Sequence, residues 1–174
     1  MLDLRYPIGP FDSEPAATEA ARRACLVQLA EAPSKLRTAI AGLSDSQLDT
    51  PYRSGGWTVR QVVHHLADSH LNWYIRTRLA LTENEPVIRP YDQERWAELV
   101  DARMGPIEPS LALYAALHAR WVRLLESLAP EDWSRRFFHP ERGWLTLAGI
   151  LPMMAWHGSH HAAQIAALRT SMNW

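Results

Sequence analysis

The chain has 174 residues, of which 47% are hydrophobic and 21% charged, a composition that suits one globular domain of residues 1–174 with a sizeable core. The net charge of −1 leaves no electrostatic footprint for nucleic acid or an anionic membrane, and the single cysteine, Cys25, excludes an internal disulfide and a cysteine-based zinc site. The first fifteen residues hold no apolar signal core, so the chain reads as cytoplasmic.

Residues 1–16 contain Pro7, Gly9, Pro10 and Pro15 and read as an extended arm lying across the domain. A first helix is expected from Ser13 or Glu14, with Pro15 in its first turn, to about Ala41. Leu26, Leu29, Leu36 and Ile40 are its apolar positions, and Pro33 should kink it. Ser44-Asp45-Ser46-Gln47 and Thr58-Val59-Arg60-Gln61 are capping boxes. The first opens a short helical turn. The second opens a helix to about Leu81, after the loop 51–57. Residues 83–91 read as a loop, and Asp92 as the cap of one short helix over 92–103. Gly105, Pro106 and Pro109 break the chain again.

A third long helix over 110–128 carries the stripe Leu111, Tyr114, His118, Trp121, Leu125 and Leu128, the spacing that bundle packing requires. Pro130 starts a short turn, 134–145 reads as irregular, and Thr146 caps a last long helix ending near Thr170. No convincing alternation of period two is visible. Four long helices imply an all-α, antiparallel four-helix bundle with short extra helices in the connections. The eight tryptophans then read as core and groove fillers.

The segment 143–168 contains no Asp, Glu, Lys or Arg, yet holds His157, His160 and His161. Its apolar part is too short to span a bilayer, which takes roughly 20 residues, so it reads as a central helix of the bundle. His157 and His161 stand at i and i+4 on the face shared by Ile150, Met154, Ile165 and Leu168, where two imidazoles can meet one metal ion. His160 points elsewhere on the helical wheel and, like His139, reads as a loop or surface residue. On the second helix, periodicity favours His65 or His70 as a third ligand over His64, which falls on a more exposed mixture, and does not separate the two. Three imidazoles with a vacant fourth position describe a catalytic rather than a structural metal site. Imidazole suits Zn²⁺, Ni²⁺, Cu²⁺ and Fe²⁺.

The ordered set RYPIGPF (5–11), SDSQLDTPYRSGGWTVRQVVHHLADSH (44–70), IRPYD (88–92) and WHGSHH (156–161) resembles the YfiT branch of the DinB/YfiT family over nearly the whole chain. The resemblance implies a four-helix bundle and a metal-dependent hydrolase, related to bacillithiol S-transferases and mycothiol-dependent enzymes. It implies metal ligands His65, His157 and His161, and so settles His65 over His70. It also implies one divalent ion per chain, Zn²⁺ or Ni²⁺, a small-molecule substrate such as a low-molecular-weight thiol, and a homodimer. A hydrogen-bonded core role remains for His70, and a place lining the cleft is open to His118. Ser159 and Gln164 occupy positions that can be histidine in relatives, and Pro152 interrupts the last helix. The expected activity is metal activation of a thiol or of water; a non-catalytic metal- or ligand-binding bundle is the alternative.

Overall fold

The computed structural model describes residues 4–12 and 14–174. Seven helices and one hairpin follow in order: α1 (Glu19–Ile40), α2 (Asp45–Leu48), α3 (Val59–Thr82), α4 (Gln93–Ala97), α5 (Val100–Met104), α6 (Glu108–Glu126), a 3₁₀ turn (Pro130–Ser134), β1 (Arg136–His139), β2 (Gly143–Thr146) and α7 (Leu147–Met172). Both predicted capping boxes form, at Ser44–Gln47 and Thr58–Gln61, and Thr146 caps α7 through the Gly149 N–H. Each satisfies backbone donors that a helix start leaves without partners.

The four long helices make the four-helix bundle. Ala16 meets Ala148 and Arg169 meets Ala39, so α1 and α7 run parallel. His64 meets Ser110 and Tyr74 meets Trp121, so α3 and α6 also run parallel. The α1–α6 and α3–α7 faces are antiparallel, as the Arg37–Glu108 ion pair and the His65–His157 and His118–Leu29 contacts show. The chain therefore runs up, down, down, up. Parallel neighbours cannot be joined by a tight turn, and the long 83–107 crossover holding α4 and α5 is the consequence.

Several local expectations are corrected. Helix α1 begins at Glu19, capped by the Thr18 hydroxyl, because Pro15 belongs to the extended arm, whose Ala16 N–H is taken by Ala148. Ser13 lies outside the described residues. Residues 92–103 form two short helices rather than one. Helix α6 starts before Ser110, with Pro109 inside its first turn, where a missing N–H costs nothing. The stretch 134–145, expected to be irregular, holds most of the antiparallel β1–β2 hairpin of residues 136–146, with Gly143 in the left-handed region at φ 73°. Strands of four residues are too short to display an alternation.

The two interior prolines share one consequence. A proline removes the N–H that would bond four residues back. Pro152 thereby frees the Ala148 carbonyl, which accepts the Ala16 N–H at 2.9 Å and fastens the arm to α7. Pro33 frees the Leu29 carbonyl, which accepts from His118 Nδ1 at 2.6 Å. Both helices continue through their prolines. No helix among the described residues is long and apolar enough to cross a membrane.

Candidate metal centre

The antiparallel α3–α7 face brings His65, His157 and His161 together. The Nε2 atoms of His65 and His157 are 3.3 Å apart, and those of His161 and His157 are 3.2 Å apart. A tetrahedral ion with bonds of about 2.0–2.1 Å sets its ligand nitrogens about 3.3–3.4 Å apart, so these two edges already have the required length. All three ligand atoms lie within 4.8 Å of one another. The donor set and its spacing fit a divalent ion of the imidazole-binding group.

A ligand imidazole must be neutral, with its lone pair on the metal side. Burial pushes the His65 pKa down to about 4. Burial, with neighbouring imidazoles second, pushes those of His157 and His161 well below the ordinary histidine range. The tautomers follow from the partners. Gln164 Nε2 donates to the Arg5 carbonyl at 2.9 Å, so Gln164 Oε1 is the acceptor for His161 Nδ1–H at 2.8 Å. His161 Nε2 is then the lone pair.

On the other side stands a row of imidazoles. The Leu29 carbonyl can only accept, so His118 Nδ1 carries the proton. His118 Nε2 therefore accepts from His70 Nδ1–H at 3.0 Å. His70 Nε2 in turn accepts from His157 Nδ1–H at 3.1 Å, leaving the His157 Nε2 lone pair directed at the site. His70 is wholly buried, as is nearly all of His118. Burial keeps both neutral, with the His118 pKa pushed down to about 4. The carbonyl released by Pro33 thus sets the tautomer of a candidate ligand on another helix, through two intervening rings. Such partners orient an imidazole and raise its basicity.

The remaining candidates fall elsewhere. His70 is the packed, hydrogen-bonded core histidine that its position allows. His64 is buried, not exposed, and its Nδ1 lies 2.8 Å from the Ser110 hydroxyl. His139 and His160, expected in a loop or at the surface, are also buried. His139 stacks on Trp73, and His160 stacks on Trp156 at 4.2 Å while accepting from Gln164. Their burial comes from the hairpin and the arm, which periodicity within α7 does not report. Tyr6 and Phe11 of the arm sit against His160 and Trp156. Burial and the nearby Asp101 raise the Asp68 pKa to about 6.

Two clefts reach the three histidines. One of 270 Å³ is lined by all three together with Tyr52, Arg53 and Trp57, so the loop before α3 shapes its mouth. Trp57 packs on His65 at 4.6 Å and donates to Glu94 at 3.1 Å. The other, of 680 Å³, touches His157 and extends along α3 past Ser69, Trp73 and Arg76.

Comparison with known proteins agrees with the fold. The family model of the DinB superfamily matches residues 28–165. Proteins of Bacillus cereus and Bacillus mycoides are each 51% identical over 174 residues, the whole of both chains, and are named provisionally as metal-dependent hydrolases. The solved structure of YfiT from Bacillus subtilis is similar with a TM-score of 0.94 and 47% identity, covering 98% of each chain. It is described, also provisionally, as a metal-dependent hydrolase of unusual four-helix-bundle topology. A second solved four-helix-bundle protein is similar in fold alone, with a TM-score of 0.58 and 23% identity over 84% of this chain and 98% of that one.

Proposed function

The chain belongs to the DinB superfamily, and on that footing we propose that it is a metal-dependent enzyme whose divalent ion, Zn²⁺ or Ni²⁺, is held by His65, His157 and His161. The observation that carries the proposal is the convergence of three neutral imidazoles beside two clefts, with no fourth protein ligand in the group among the described residues. Three-imidazole sites with a vacant position are catalytic ones. When bound, the ion supplies Lewis acidity, which lowers the pKa of a coordinated water toward about 7 and deprotonates a coordinated thiol.

The protein groups decide which of these nucleophiles the site favours. The polar partners of the three imidazoles are other imidazoles and the Gln164 amide. Asp92 and Glu94, on the cleft walls, are engaged with the Arg95 N–H and with Trp57. A hydrolytic centre profits from a carboxylate that moves the proton of the attacking water. A thiol needs no such carboxylate, because its lower pKa would let a bound ion favour the thiolate near neutral pH with the proton released to solvent. Two clefts meeting at one centre also suit two reactants. We therefore place transfer of a low-molecular-weight thiol to an electrophile ahead of hydrolysis, the activity in the relatives' names. In either reaction His65, His157 and His161 hold the ion, Gln164 and His70 fix the imidazole orientations, and Trp57 and Trp156 restrict water at the cleft mouths.

The test is elemental analysis of untagged protein beside His65→Ala, His157→Ala and His161→Ala, followed by conjugation of monochlorobimane to a panel of thiols. About one ion per chain, lost in each variant, is expected, with a conjugation rate that depends on it. Metal binding without conjugation for any thiol would remove the transfer reading. No metal after reconstitution would remove the proposal itself.

A further inference from the structure

The larger cleft carries a charge that nothing in the metal centre uses. Arg76, on α3, is 4% exposed. Its guanidinium stacks over Trp73, 4.6 Å from the ring centroid, and donates to the Arg89 carbonyl at 3.3 Å. Among the described residues no carboxylate lies within ion-pair distance of it. Of the two acids on the cleft wall, Asp92 caps α4, and Glu141, exposed in the β1–β2 turn, attracts the guanidinium only from beyond ion-pair distance, against the repulsion of Arg142. A buried guanidinium without a counter-charge in contact is costly. The other buried arginine on this helix, Arg60, shows the usual solution, with Asp49 at 2.7 Å and Asp45 at 2.9 Å.

Arg76 has five N–H donors, and the Arg89 carbonyl takes one bond. None of its nitrogens is a sealed, unsatisfied atom, so its remaining donors face the cleft that it lines. A second donor stands nearby. The Glu141 N–H donates to His139 Nδ1 at 3.2 Å, so neutral His139 carries its proton on Nε2. Arg142, on the same wall, adds positive potential, and both arginines help hold His139 uncharged after burial has done most.

Arg76 follows His65 by eleven residues, which is three turns and about 20° of rotation. The two share one face of α3, about 16 Å apart along its axis, and side chains tilt toward the helix N-terminus. The cleft that Arg76 lines also reaches His157, so one elongated ligand can extend from the guanidinium to the histidines.

We propose that Arg76 is the anchor of a carboxylate-binding subsite, and that the substrate is an elongated molecule whose carboxylate docks there while its reacting end reaches the metal centre. The planar guanidinium fork matches a carboxylate bidentately, the uncharged His139 adds a directed donor, and Arg142, exposed and turned to Met153, adds potential without a second guanidinium fork, so the site suits a monoanion better than a phosphate dianion. The identity of the reacting end rests on the proposed function; the subsite itself does not.

The test titrates metal-free protein with octanoate, its methyl ester and inorganic phosphate, read by tryptophan fluorescence, since Trp73 underlies the guanidinium. Octanoate is expected to bind at least tenfold more tightly than the ester. Arg76→Gln should bring both to the ester's affinity, and Arg76→Lys, which keeps the charge and loses the fork, should recover only part of the difference. Circular dichroism and unchanged metal uptake on reconstitution confirm that the variants retain the fold and the histidine centre. Equal binding of acid and ester, a difference that survives Arg76→Gln, or phosphate binding tighter than octanoate would each overturn the assignment. Selective octanoate binding by a protein that takes up no metal would refute the proposed function and leave the subsite standing.

Discussion

Replacing His118 with leucine should weaken metal binding at a site that His118 does not touch. The side chain is buried and leucine fills a similar volume, so the cavity contribution is small. What is lost is the acceptor for His70 Nδ1–H, 3.0 Å away and wholly enclosed. An enclosed donor without a partner costs about 1–3 kcal/mol. His70 can relieve this by moving its proton to Nε2. That places two N–H groups face to face across 3.1 Å, and His157 must then carry its own proton on Nε2, where the ion would bind. Loss of such an orienting partner typically lowers metal affinity 10- to 100-fold, or about 1.4–2.7 kcal/mol. Glutamine at 118 can donate to the Leu29 carbonyl and accept from His70, so His118→Gln should restore most of the affinity. Zn²⁺ affinity measured by competition with a chromophoric chelator reads the effect. Long-range ¹⁵N–¹H spectra of the metal-free protein report the His157 tautomer directly. Affinity of His118→Leu within twofold of the parent, or of His118→Gln as weak as that of His118→Leu, would refute the row of imidazoles as the orienting device.

Acid should unfold the metal-free protein over a narrow range. The His65, His118 and His160 pKa values are depressed to about 4 in the fold, and burial is the largest cause in each case. The unfolded chain takes up these protons near pH 6.5, so the stability they carry is complete above that pH and falls as pH drops toward 4, at about 1.4 kcal/mol per histidine per pH unit. Asp68, raised to about 6, opposes them by about one proton, so denaturant titrations should give a proton-linked slope of about two or more near pH 5, and a flat profile between pH 6.5 and 5 would contradict the buried neutral state. Gly158→Ala should destabilise by about 1–2 kcal/mol despite a gain of about 1 kcal/mol in helix propensity, because the added Cβ meets the Tyr114 hydroxyl at 2.7 Å and the Ala32 Cβ at 2.9 Å. An unchanged or higher melting temperature would show that α1, α6 and α7 are not in close contact there. Gln164→Leu removes the acceptor of His161 Nδ1–H and the donor to the Arg5 carbonyl. It should weaken metal binding 10- to 100-fold and speed proteolysis in the arm, both measurable on the same preparation.

Much of the fold and of the candidate site is legible in the chain itself, wherever the physics is local. The capping boxes at Ser44 and Thr58, the Thr146 cap and the His157/His161 pair each depend on residues within one helical turn. Periodicity says which face of α3 is buried, and both His65 and His70 lie on buried faces, so it could not choose between them; only the family resemblance did. Tertiary structure separates their places by depth and by the antiparallel run of α7. His65 stands at the cleft beside His157 Nε2, and His70 lies behind the same ring against His118. Pro33 reads as a kink and Pro152 as an interruption because sequence shows only the missing N–H. That the carbonyls they free receive His118 and Ala16 depends on which helix lies alongside. Gln164 likewise looked like a departure from a histidine pattern until Arg5, 159 residues earlier in the chain, gave its amide a direction. Arg76 shows no signal at all in sequence, since an arginine on a long helix is ordinarily solvated. Its burial and its lack of a carboxylate partner are properties of the crossover and the hairpin packed around it, contacts that no local pattern encodes.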